Sequence, residues 1–400
     1  MSRPFDVMAA GHVCLDLIPR FPNTGATELG AILRPGKLVE MGPVTISTGG
    51  PVSNTGIALR RLGRSVCFSA RVGDDEFGRL TLDALRRSGN ADGIHVVPGS
   101  ASSYTVALAP PGIDRVFLHN PGTNHEFGSE DVDCGLVGQC RMFHFGYPPL
   151  MRRMYENVGE ELERTFRLAK EAGATTSCDM SLPDPDSAAG KAPWKAILER
   201  TLPCVDVFLP SVEEALYMLE VDRFLQMKRD HGGAELIDVL TAADYTRLAD
   251  ALLAMGPAIV ALKSGHRGFY VKTSAREAFD RMGAASPHDA DAWSLRELWG
   301  PAFSAPDLAS ATGSGDSSIA GFLTAFLNGY DIEESLRTAN CLGWQNVQAL
   351  DAVSGIRTWE ETCALLERPA PVNDVRPGAA GWVWHEERGV WAGPEDALNA

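Results

Sequence analysis

The sequence has no long apolar segment and comparatively little positive charge. None of its apolar runs approaches the roughly 20 residues that a membrane-spanning helix requires. The N-terminal stretch MSRPFDVMAAGHVCLDLIP is interrupted by His12 and Asp16, unlike a signal peptide. Lys and Arg number 36 against 52 Asp and Glu, a net charge of −16. Nucleic acids and anionic membranes bind clustered positive charge, so we expect neither as a partner.

The sequence also lacks a cysteine pattern. Its eight cysteines are scattered, with no CxxC pair and no Cys/His spacing typical of a metal site. Isolated cysteines in apolar surroundings behave as small hydrophobic residues. This distribution predicts a reduced, cytoplasmic protein.

Strand-like and helix-like patterns alternate along most of the chain. The apolar runs FDVMAAG (5–11) and SVCFSARVG (65–73) are each followed by a helical pattern, SNTGIALRRLG (53–63) and DEFGRLTLDALRRSG (75–89). Such alternation predicts an α/β fold with a doubly wound, mostly parallel sheet flanked by helices.

Two segments and the C-terminal tail depart from this rhythm. Residues 102–120 alternate in two runs around PPGID, as a β-hairpin does, and residues 18–48 are rich in Gly and Pro with a few β-prone residues. We expect both segments to form a small β lid beside the main sheet. One domain is therefore predicted over 1–368, followed by a C-terminal extension over 369–400 that contains a terminal hairpin, GWVWHEERGVW.

The stretch SATGSGDSSIAGFL (310–323) combines a glycine turn with a carboxylate. Apolar residues recur at helical spacing after Asp316, so a helix is expected to begin at about that residue. Gly313, Ser314 and Gly315 would then present backbone N–H groups at a helix N-terminus, where anions bind. The stretch is neither a Walker A loop nor a dinucleotide fingerprint. The alternative is that Asp316 only caps its helix.

Three earlier motifs bear on the choice between an anion site and a simple helix cap. STGGPVSNTGIALRRLG (47–63) is a second glycine turn that opens a helix, RVGDDEFGRL (71–80) follows it, and AGHVCLD (10–16) precedes it. In this order, and with the C-terminal TGSGD, these motifs resemble the PfkB or ribokinase family of carbohydrate and nucleoside kinases. The resemblance spans roughly residues 5–365 and implies a ribokinase-like fold and ATP-dependent phosphoryl transfer.

The resemblance assigns catalysis to the C-terminal glycine turn. The Asp of the family's TGxGD signature, here Asp316, is the general base that accepts the proton of the attacking hydroxyl. The amides of Gly313, Ser314 and Gly315 would stabilise the charge on the transferred phosphoryl group. Because a carboxylate at a helix N-terminus stays ionised, we expect Asp316 to act without a raised pKa.

The acceptor site of the family matches Asp16 and the turn around Gly49, Gly50 and Asn54. Asp16, expected just past a strand end, would accept paired hydrogen bonds from the acceptor's hydroxyl groups. The glycines would let a polyol lie against the backbone. The alternative for Asp16 is a solvated loop carboxylate, and Asn54 is equally an N-cap of the helix predicted over 53–63.

Four residues match the nucleotide side of the family. In FLPSVEEALYML, Glu214 fits the glutamate that helps to hold Mg²⁺ through water, although Ser211 stands in place of the family's asparagine. Gly265 fits the strand-turn glycine that borders the nucleotide, and Asn340 lies on the late helix beside the adenine. Lys263 is either a phosphate contact or a solvated lysine.

The chain also departs from the family pattern. Ser310 stands where the signature usually has an acidic residue associated with a monovalent cation, so activation by K⁺ is doubtful. Many members carry Asp-x-Asn-x-Arg after the mid-chain strand; this chain keeps Asp179 but has Ser181 and Pro183 at the other two positions. Acceptor or phosphate contacts must therefore differ there.

Together these observations predict a kinase that transfers phosphate from MgATP to a hydroxyl of a small sugar or sugar-like polyol. The alternatives are a nucleoside kinase of the adenosine type and a sugar-binding regulator that has lost turnover. A lid of hairpin strands also predicts a homodimer. The sequence does not identify the acceptor or the hydroxyl that is phosphorylated. It also leaves open the roles of two apparent insertions, 217–250 and 272–309, and of the Trp-rich tail.

Overall fold

In the part of the chain that the structure describes, the strands form two sheets. The computed structural model describes residues 3–23, 25–113, 115–232, 235–306, 308–368 and 370–399. Its strands are β1 (Phe5–Gly11), β2 (Cys14–Pro19), β3 (Val44–Gly49), β4 (Val66–Gly73), β5 (Asn90–Val97), β6 (Tyr104–Leu108), β7 (Val116–Asn120), β8 (Cys140–Gly146), β9 (Thr175–Asp179), β10 (Val207–Phe208), β11 (Ile259–Lys263), β12 (Phe269–Thr273), β13 (Glu297–Gly300), β14 (Val383–His385) and β15 (Val390–Ala392).

The large sheet has the strand order β14-β15-β13-β12-β11-β10-β9-β8-β1-β4-β5. Every neighbouring pair from β11 to β5 is parallel, whereas the pairs from β11 to β14 are antiparallel. This arrangement confirms the predicted α/β fold with a mostly parallel sheet.

Helices pack on both faces of the large sheet, and further short helices lie in connecting segments. They are α1 (Leu29–Ile32), α2 (Pro51–Arg61), α3 (Glu76–Ser88), α4 (Cys134–Val137), α5 (Arg152–Tyr155), α6 (Glu160–Glu171), α7 (Trp194–Thr201), α8 (Val212–Leu219), α9 (Val221–Asp230), α10 (Ala242–Leu253), α11 (Arg276–Phe279), α12 (Ser314–Leu327), α13 (Ile332–Asn346) and α14 (Trp359–Leu366). Within the described ranges, no helix has the length and apolar character needed to cross a membrane.

The alternation of side chains in β1 shows how the two layers form. Met8 and Ala10 belong to the core cluster that includes α6, α8 and α10, whereas Val7 and Ala9 belong to the cluster with α2, α12 and α13. Successive residues of a strand point to opposite faces, so a run that is buried on both sides is apolar throughout. The buried part of β1, VMAAG, is apolar for this reason, whereas Asp6 near the start of the strand is only partly buried.

The smaller second sheet has the order β3-β2-β6-β7. The hairpin predicted in 102–120 is β6–β7, and 18–48 supplies β3, although the sheet starts earlier than predicted, at Cys14. Cross-strand register aligns a polar row, Ser47–Asp16–Thr105–His119, and the next row is apolar, Ile46–Leu17–Val106–Leu118. Neighbouring rows lie on opposite faces, so one face of the second sheet is polar where it carries Asp16.

The C-terminal segment continues the large sheet. The β14–β15 hairpin pairs with β13, where Trp391 lies opposite Trp299. The buried Arg296 guanidinium donates to Asp396 (3.1 Å) and holds the end of this segment. The boundary predicted at 369 falls on Pro369, which is outside the described residues.

The two apparent insertions form parts of the same fold. Residues 217–250 include α9 and most of α10, and residues 272–309 include α11 and β13. Tyr245 of α10 is fully buried in the core.

Candidate active site

Polar residues collect where the parallel strands end. His12 and Tyr147 directly follow β1 and β8, and Asp179 and Lys263 are the last residues of β9 and β11. In open parallel sheets, ligands bind outside the carboxyl ends of the strands. This edge is therefore the natural position for the site.

The C-terminal glycine turn ends in α12, which begins two residues earlier than predicted. Gly313 is the N-cap, with a φ of 76°, and an added Cβ would lie 2.5 Å from the Cβ of Ala352. The Ser314 N–H donates to the Ala311 carbonyl (3.2 Å). Among the described residues, no protein acceptor takes the N–H of Gly313 or Gly315. Two of the three amides predicted as an anion site are thus available.

Asp316 is buried in the first turn of α12, with 1% exposure. Its Oδ2 accepts hydrogen bonds from Asn54 Nδ2 (3.0 Å) and the Tyr147 hydroxyl (3.1 Å). Its Oδ1 accepts one from Thr55 Oγ1 (3.3 Å). Because the N-cap is Gly313, the alternative that Asp316 only caps its helix is wrong. A carboxylate has about four acceptor positions, so these three donors leave room for an acceptor hydroxyl.

Burial raises the pKa of Asp316 above its ordinary value of 3.8. The hydrogen bonds from Asn54, Tyr147 and Thr55 and the charge of Lys263 oppose this shift. The expectation that Asp316 would act without a raised pKa is therefore wrong, because desolvation outweighs the favourable helix terminus. A raised pKa makes the carboxylate a stronger general base.

The N-terminal glycine turn packs closely against the carboxylate of Asp16. α2 begins at Pro51 with Gly50 as its N-cap, at a φ of 85°. The N-cap alternative for Asn54 is therefore wrong, since Asn54 lies inside the helix. A Cβ on Gly49 would lie 2.3 Å from Asp16 Oδ2, so only glycine allows this carboxylate to lie against the turn.

Asp16 lies within β2 of the second sheet, not just past the end of β1 as predicted. Its Oδ1 accepts a hydrogen bond from Cys14 Sγ (3.3 Å). Burial, with a smaller contribution from the charge of Asp316, raises the pKa of Asp16 to about 6. A solvated loop carboxylate would have neither feature, so that alternative is wrong.

Three rings surround the space beside Asp16. Nε2 of the buried His12 lies 3.4 Å from Nε2 of His119, and the ring centroids of His12 and Tyr147 are 6.3 Å apart. His119 Nδ1 lies 3.0 Å from Thr105 Oγ1. Burial, followed by the nearby His119, lowers the pKa of His12 well below 6.5, so His12 is neutral at pH 7.

Lys263 forms a buried ion pair with Asp179 and donates to the Leu209 carbonyl (2.5 Å). Its side chain is only 12% exposed, so the alternative of a solvated lysine is wrong. Burial disfavours its charge, but the negative charges of Asp179 and Glu214 outweigh burial and raise its pKa. Lys263 therefore supplies a buried positive charge beside the glycine turn.

Glu214 and Ser211 form a reciprocal cap at the start of α8. Glu214 Oε2 accepts from the Ser211 N–H (2.6 Å), and Ser211 Oγ accepts from the Glu214 N–H (3.1 Å). Among the described residues, no group of three or more His, Cys, Asp or Glu side chains is arranged to hold a metal directly. Glu214 keeps its second carboxylate oxygen for a water-mediated contact, which suits the oxygen and water ligands of Mg²⁺.

A cleft of about 270 Å³ opens beside the glycine turn. The predicted nucleotide residues Lys263, Gly265 and Asn340 all line it, with Ser314 and Gly315. Gly265 has a φ of 48°, and the side-chain amide of Asn340 donates to the Gly300 carbonyl (2.9 Å). The cleft is further lined by Phe303, Ser304, Trp344, Val347 and Asn373.

Ser310, at the position usually associated with a cation, accepts a hydrogen bond from Arg115 (3.0 Å). Arg115 precedes β7 and also donates to the Thr312 hydroxyl. A guanidinium from the second sheet thus contacts the loop before α12.

Three residues of the site were not predicted from the sequence. Tyr147 and Thr55 donate to Asp316, and Asn373 lines the cleft. Tyr147 had a usable signal, because it follows a strand-ending glycine at the carboxyl edge just as His12 does. Thr55 is the residue after Asn54 in the second glycine turn. Asn373 carried no signal, since it stands in irregular chain before the terminal hairpin.

Known proteins share this sequence pattern and fold. The model of the pfkB family carbohydrate kinases matches residues 5–359. An uncharacterized sugar kinase of Archaeoglobus fulgidus is 24% identical over 301 residues, which cover 75% of this chain and 98% of that protein. Fructokinase-1 of Zea mays is 28% identical over 179 residues, covering 44% of this chain and about half (51%) of its own length.

Among solved structures, an Arabidopsis thaliana ribokinase complexed with ribose and ATP matches with a TM-score of 0.66 and 16% identity, over 92% of this chain and all of that one. This likeness confirms the ribokinase-like fold. The family match over most of the chain places the protein among the carbohydrate kinases. Within that class, the chain belongs to the pfkB family.

Proposed function

We propose that the protein transfers the γ-phosphoryl group of ATP to a hydroxyl of a small sugar or sugar-like polyol, with Asp316 as the general base. The observation that carries the proposal is the position of Asp316. It is buried, held by three donors, and lies one residue from the available amide of Gly315. A carboxylate and an anion site in this arrangement suit in-line attack on a phosphate.

In the proposed reaction, Asp316 accepts the proton of the acceptor hydroxyl as that oxygen attacks the γ-phosphorus. The new O–P bond forms while the bond to the β-phosphate oxygen breaks, and ADP leaves. The N–H groups of Gly313 and Gly315 and the ammonium of Lys263 stabilise the charge on the transferred group. Bound Mg²⁺ would neutralise the phosphates, held by Glu214 through water.

Asp16, Gly49, Gly50 and Asn54 are proposed for the acceptor side. Asp16 accepts hydrogen bonds from acceptor hydroxyls, and the two glycines let a polyol approach the backbone. Asn54 acts through its contact with Asp316. On the nucleotide side, Gly265 and Asn340 are proposed to border the base and ribose.

A nucleoside kinase is the second candidate. The rings of His12, His119 and Tyr147 beside Asp16 favour it, because a planar base stacks on such surfaces. A sugar-binding regulator is the third. It is disfavoured because a pure binder has no need of the buried, multiply bonded carboxylate of Asp316.

The test measures ADP release with MgATP against ketoses, aldoses, sugar acids, polyols and ribosides, with Asp316→Asn beside the wild type. We expect turnover on one panel member and a loss of at least 10²-fold in the variant, the usual scale for a general base. Turnover on a riboside alone would select the nucleoside kinase. Full activity in Asp316→Asn would contradict the mechanism.

We also propose a homodimer formed through the second sheet and a cytoplasmic location. All eight cysteines are free thiols, including the exposed Cys134, which suits a reducing compartment.

A further inference from the structure

The C-terminal segment after the family match touches the nucleotide cleft. The match ends at residue 359, yet residues 371–373 run antiparallel to residues 302–304. Val372 bridges to Phe303, the Ser304 N–H donates to the Pro371 carbonyl (2.9 Å), and the Asn373 N–H donates to Ala302 (2.9 Å). The segment is therefore joined to residues 302–304 by an isolated antiparallel β-bridge and its two flanking hydrogen bonds.

The bridged residues 371–373 lie directly against residues that line the cleft. Phe303, Ser304 and Asn373 all line the cleft. The indole N–H of Trp344, which lies on α13 and also lines the cleft, donates to the Ser304 carbonyl (3.0 Å). The position of residues 302–304 is thus fixed by α13 on one side and by the C-terminal segment on the other.

Asn373 also fixes the turn between β11 and β12. Its side-chain amide donates to the His266 carbonyl (2.7 Å). His266 follows Gly265, whose left-handed φ of 48° shapes the turn, and both residues line the cleft. One side chain from the C-terminal segment therefore restrains a turn nearly 110 residues earlier in the chain.

The C-terminal segment is anchored well away from the cleft. The Asp396 carboxylate is buried and accepts hydrogen bonds from the Arg296 guanidinium (3.1 Å) and the Glu297 N–H (2.7 Å). These contacts hold the segment on β13 without involving Asn373. A substitution at Asn373 can therefore change the cleft while the anchor persists.

We propose that residues 371–373 form an outer wall of the nucleotide cleft, and that Asn373 is a positioning residue which holds the Gly265–Arg267 turn against bound nucleotide. The inference rests on the proposed function, because it takes the cleft to be the ATP site. It assigns nucleotide affinity in part to a segment beyond the family match.

The test measures binding of MgADP by calorimetry, without any acceptor, for the wild type and for Asn373→Ala and Asn373→Asp. We expect dissociation constants three- to tenfold higher for Asn373→Ala, the scale of one lost hydrogen bond. Asn373→Asp should be at least as weak, since a carboxylate cannot donate to the His266 carbonyl and is repelled by that oxygen. Once an acceptor is known, KM for ATP should rise while kcat changes little.

The matched control is Asn399→Ala. Asn399 lies in the same segment and its amide donates to the Gly393 carbonyl (2.6 Å), away from the cleft. We expect it to leave MgADP affinity unchanged, even if the melting temperature falls. Wild-type affinity in both Asn373 variants would overturn this inference alone. A wild-type protein that binds no MgADP would overturn the proposed function and this inference with it.

Discussion

At the scale of single residues, Asp316 balances two opposing influences. Burial disfavours its charge, whereas donors from α2 and from the residue after β8 favour it. Asn54 and Thr55 reach it from one element and Tyr147 from another, so its orientation is fixed from two sides. Fixed orientation is what a general base needs, because proton transfer requires hydrogen-bond geometry.

Tyr147→Phe tests this balance. Removing one donor to the carboxylate raises the pKa of Asp316 further, so a higher pH is needed to ionise it. Lys263, Asp179 and Asp16 also act on this carboxylate and are unchanged by the substitution. We expect the acidic limb of the kcat/KM profile to move upward by about one pH unit, the scale of a hydrogen bond to a charged group.

The control is Tyr217→Phe, because Tyr217 donates to the Gly190 carbonyl (2.9 Å) away from the site. It should leave the pH profile where it is in the wild type. An identical profile in Tyr147→Phe, measured with the best acceptor of the panel, would show that Tyr147 does not act on the base.

Burial of the Asp16 carboxylate lowers the stability of the free protein at neutral pH. Its pKa is about 6 in the folded protein against an ordinary 3.8, so the folded state binds this proton more tightly than the unfolded state. The contribution of Asp16 to the free energy of unfolding therefore falls as the pH rises from about 4 to about 6, and this loss persists above pH 6. In the proposed acceptor site, holding a carboxylate for hydroxyl groups lowers the stability of the free protein until the acceptor binds.

Asp16→Asn should therefore stabilise the free protein while it removes acceptor binding. We expect a gain on the order of 1–3 kcal/mol at pH 7, from a shift of about two pKa units. The gain should shrink towards zero near pH 4. Chemical denaturation at pH 4, 5, 6 and 7 measures this gain in the free energy of unfolding. Equal stability of the two proteins at pH 7 would contradict the inference that the charged Asp16 carboxylate destabilises the free protein.

At the scale of elements, local patterns predicted the pieces well. The alternation of apolar runs and helical patterns predicted the α/β fold, and the PPGID alternation predicted β6–β7. Boundaries were less certain: α2 and α12 each begin two residues before the predicted start, because Pro51 and Ser314 are compatible with a first helical turn.

The contacts between elements were beyond local patterns. Asn54 and Asp316 are 262 positions apart, and Lys263 and Asp179 are 84 apart. The family resemblance named these residues without their mutual contacts. Burial, which raises the pKa of Asp316, depends on packing that no short motif encodes.

The contacts of the C-terminal segment were likewise not predictable from local sequence patterns. Its hairpin was predicted from GWVWHEERGVW, whereas the role of its tryptophans was left open. Its attachment to β13 and the contact of Asn373 with the His266 carbonyl depend on how the chain returns to the large sheet. Amino-acid composition does not indicate where the chain rejoins the large sheet.

At the scale of the whole molecule, the second sheet leaves an apolar row uncovered. Ile46, Leu17, Val106 and Leu118 lie in register across its four strands, and Ile46 and Leu118 are 51% and 54% exposed. In the described part of the chain, the outer strands β3 and β7 have no further strand beside them. An apolar face with two open edges is suited to pairing with a second copy of the same sheet.

The double substitution Ile46→Lys with Leu118→Lys should therefore dissociate the protein. We expect the wild type to have twice the 43.0 kDa mass of one chain in light scattering, and the variant to have the mass of one chain. Val383→Lys, at an exposed position on the edge strand β14, is the control and should stay dimeric. Asp16 belongs to the same sheet as the proposed dimer interface, on the opposite face. Dissociation of the dimer should therefore also weaken acceptor binding, whereas the affinity for MgADP should not change. A wild type that is monomeric at every concentration would contradict the proposed dimer.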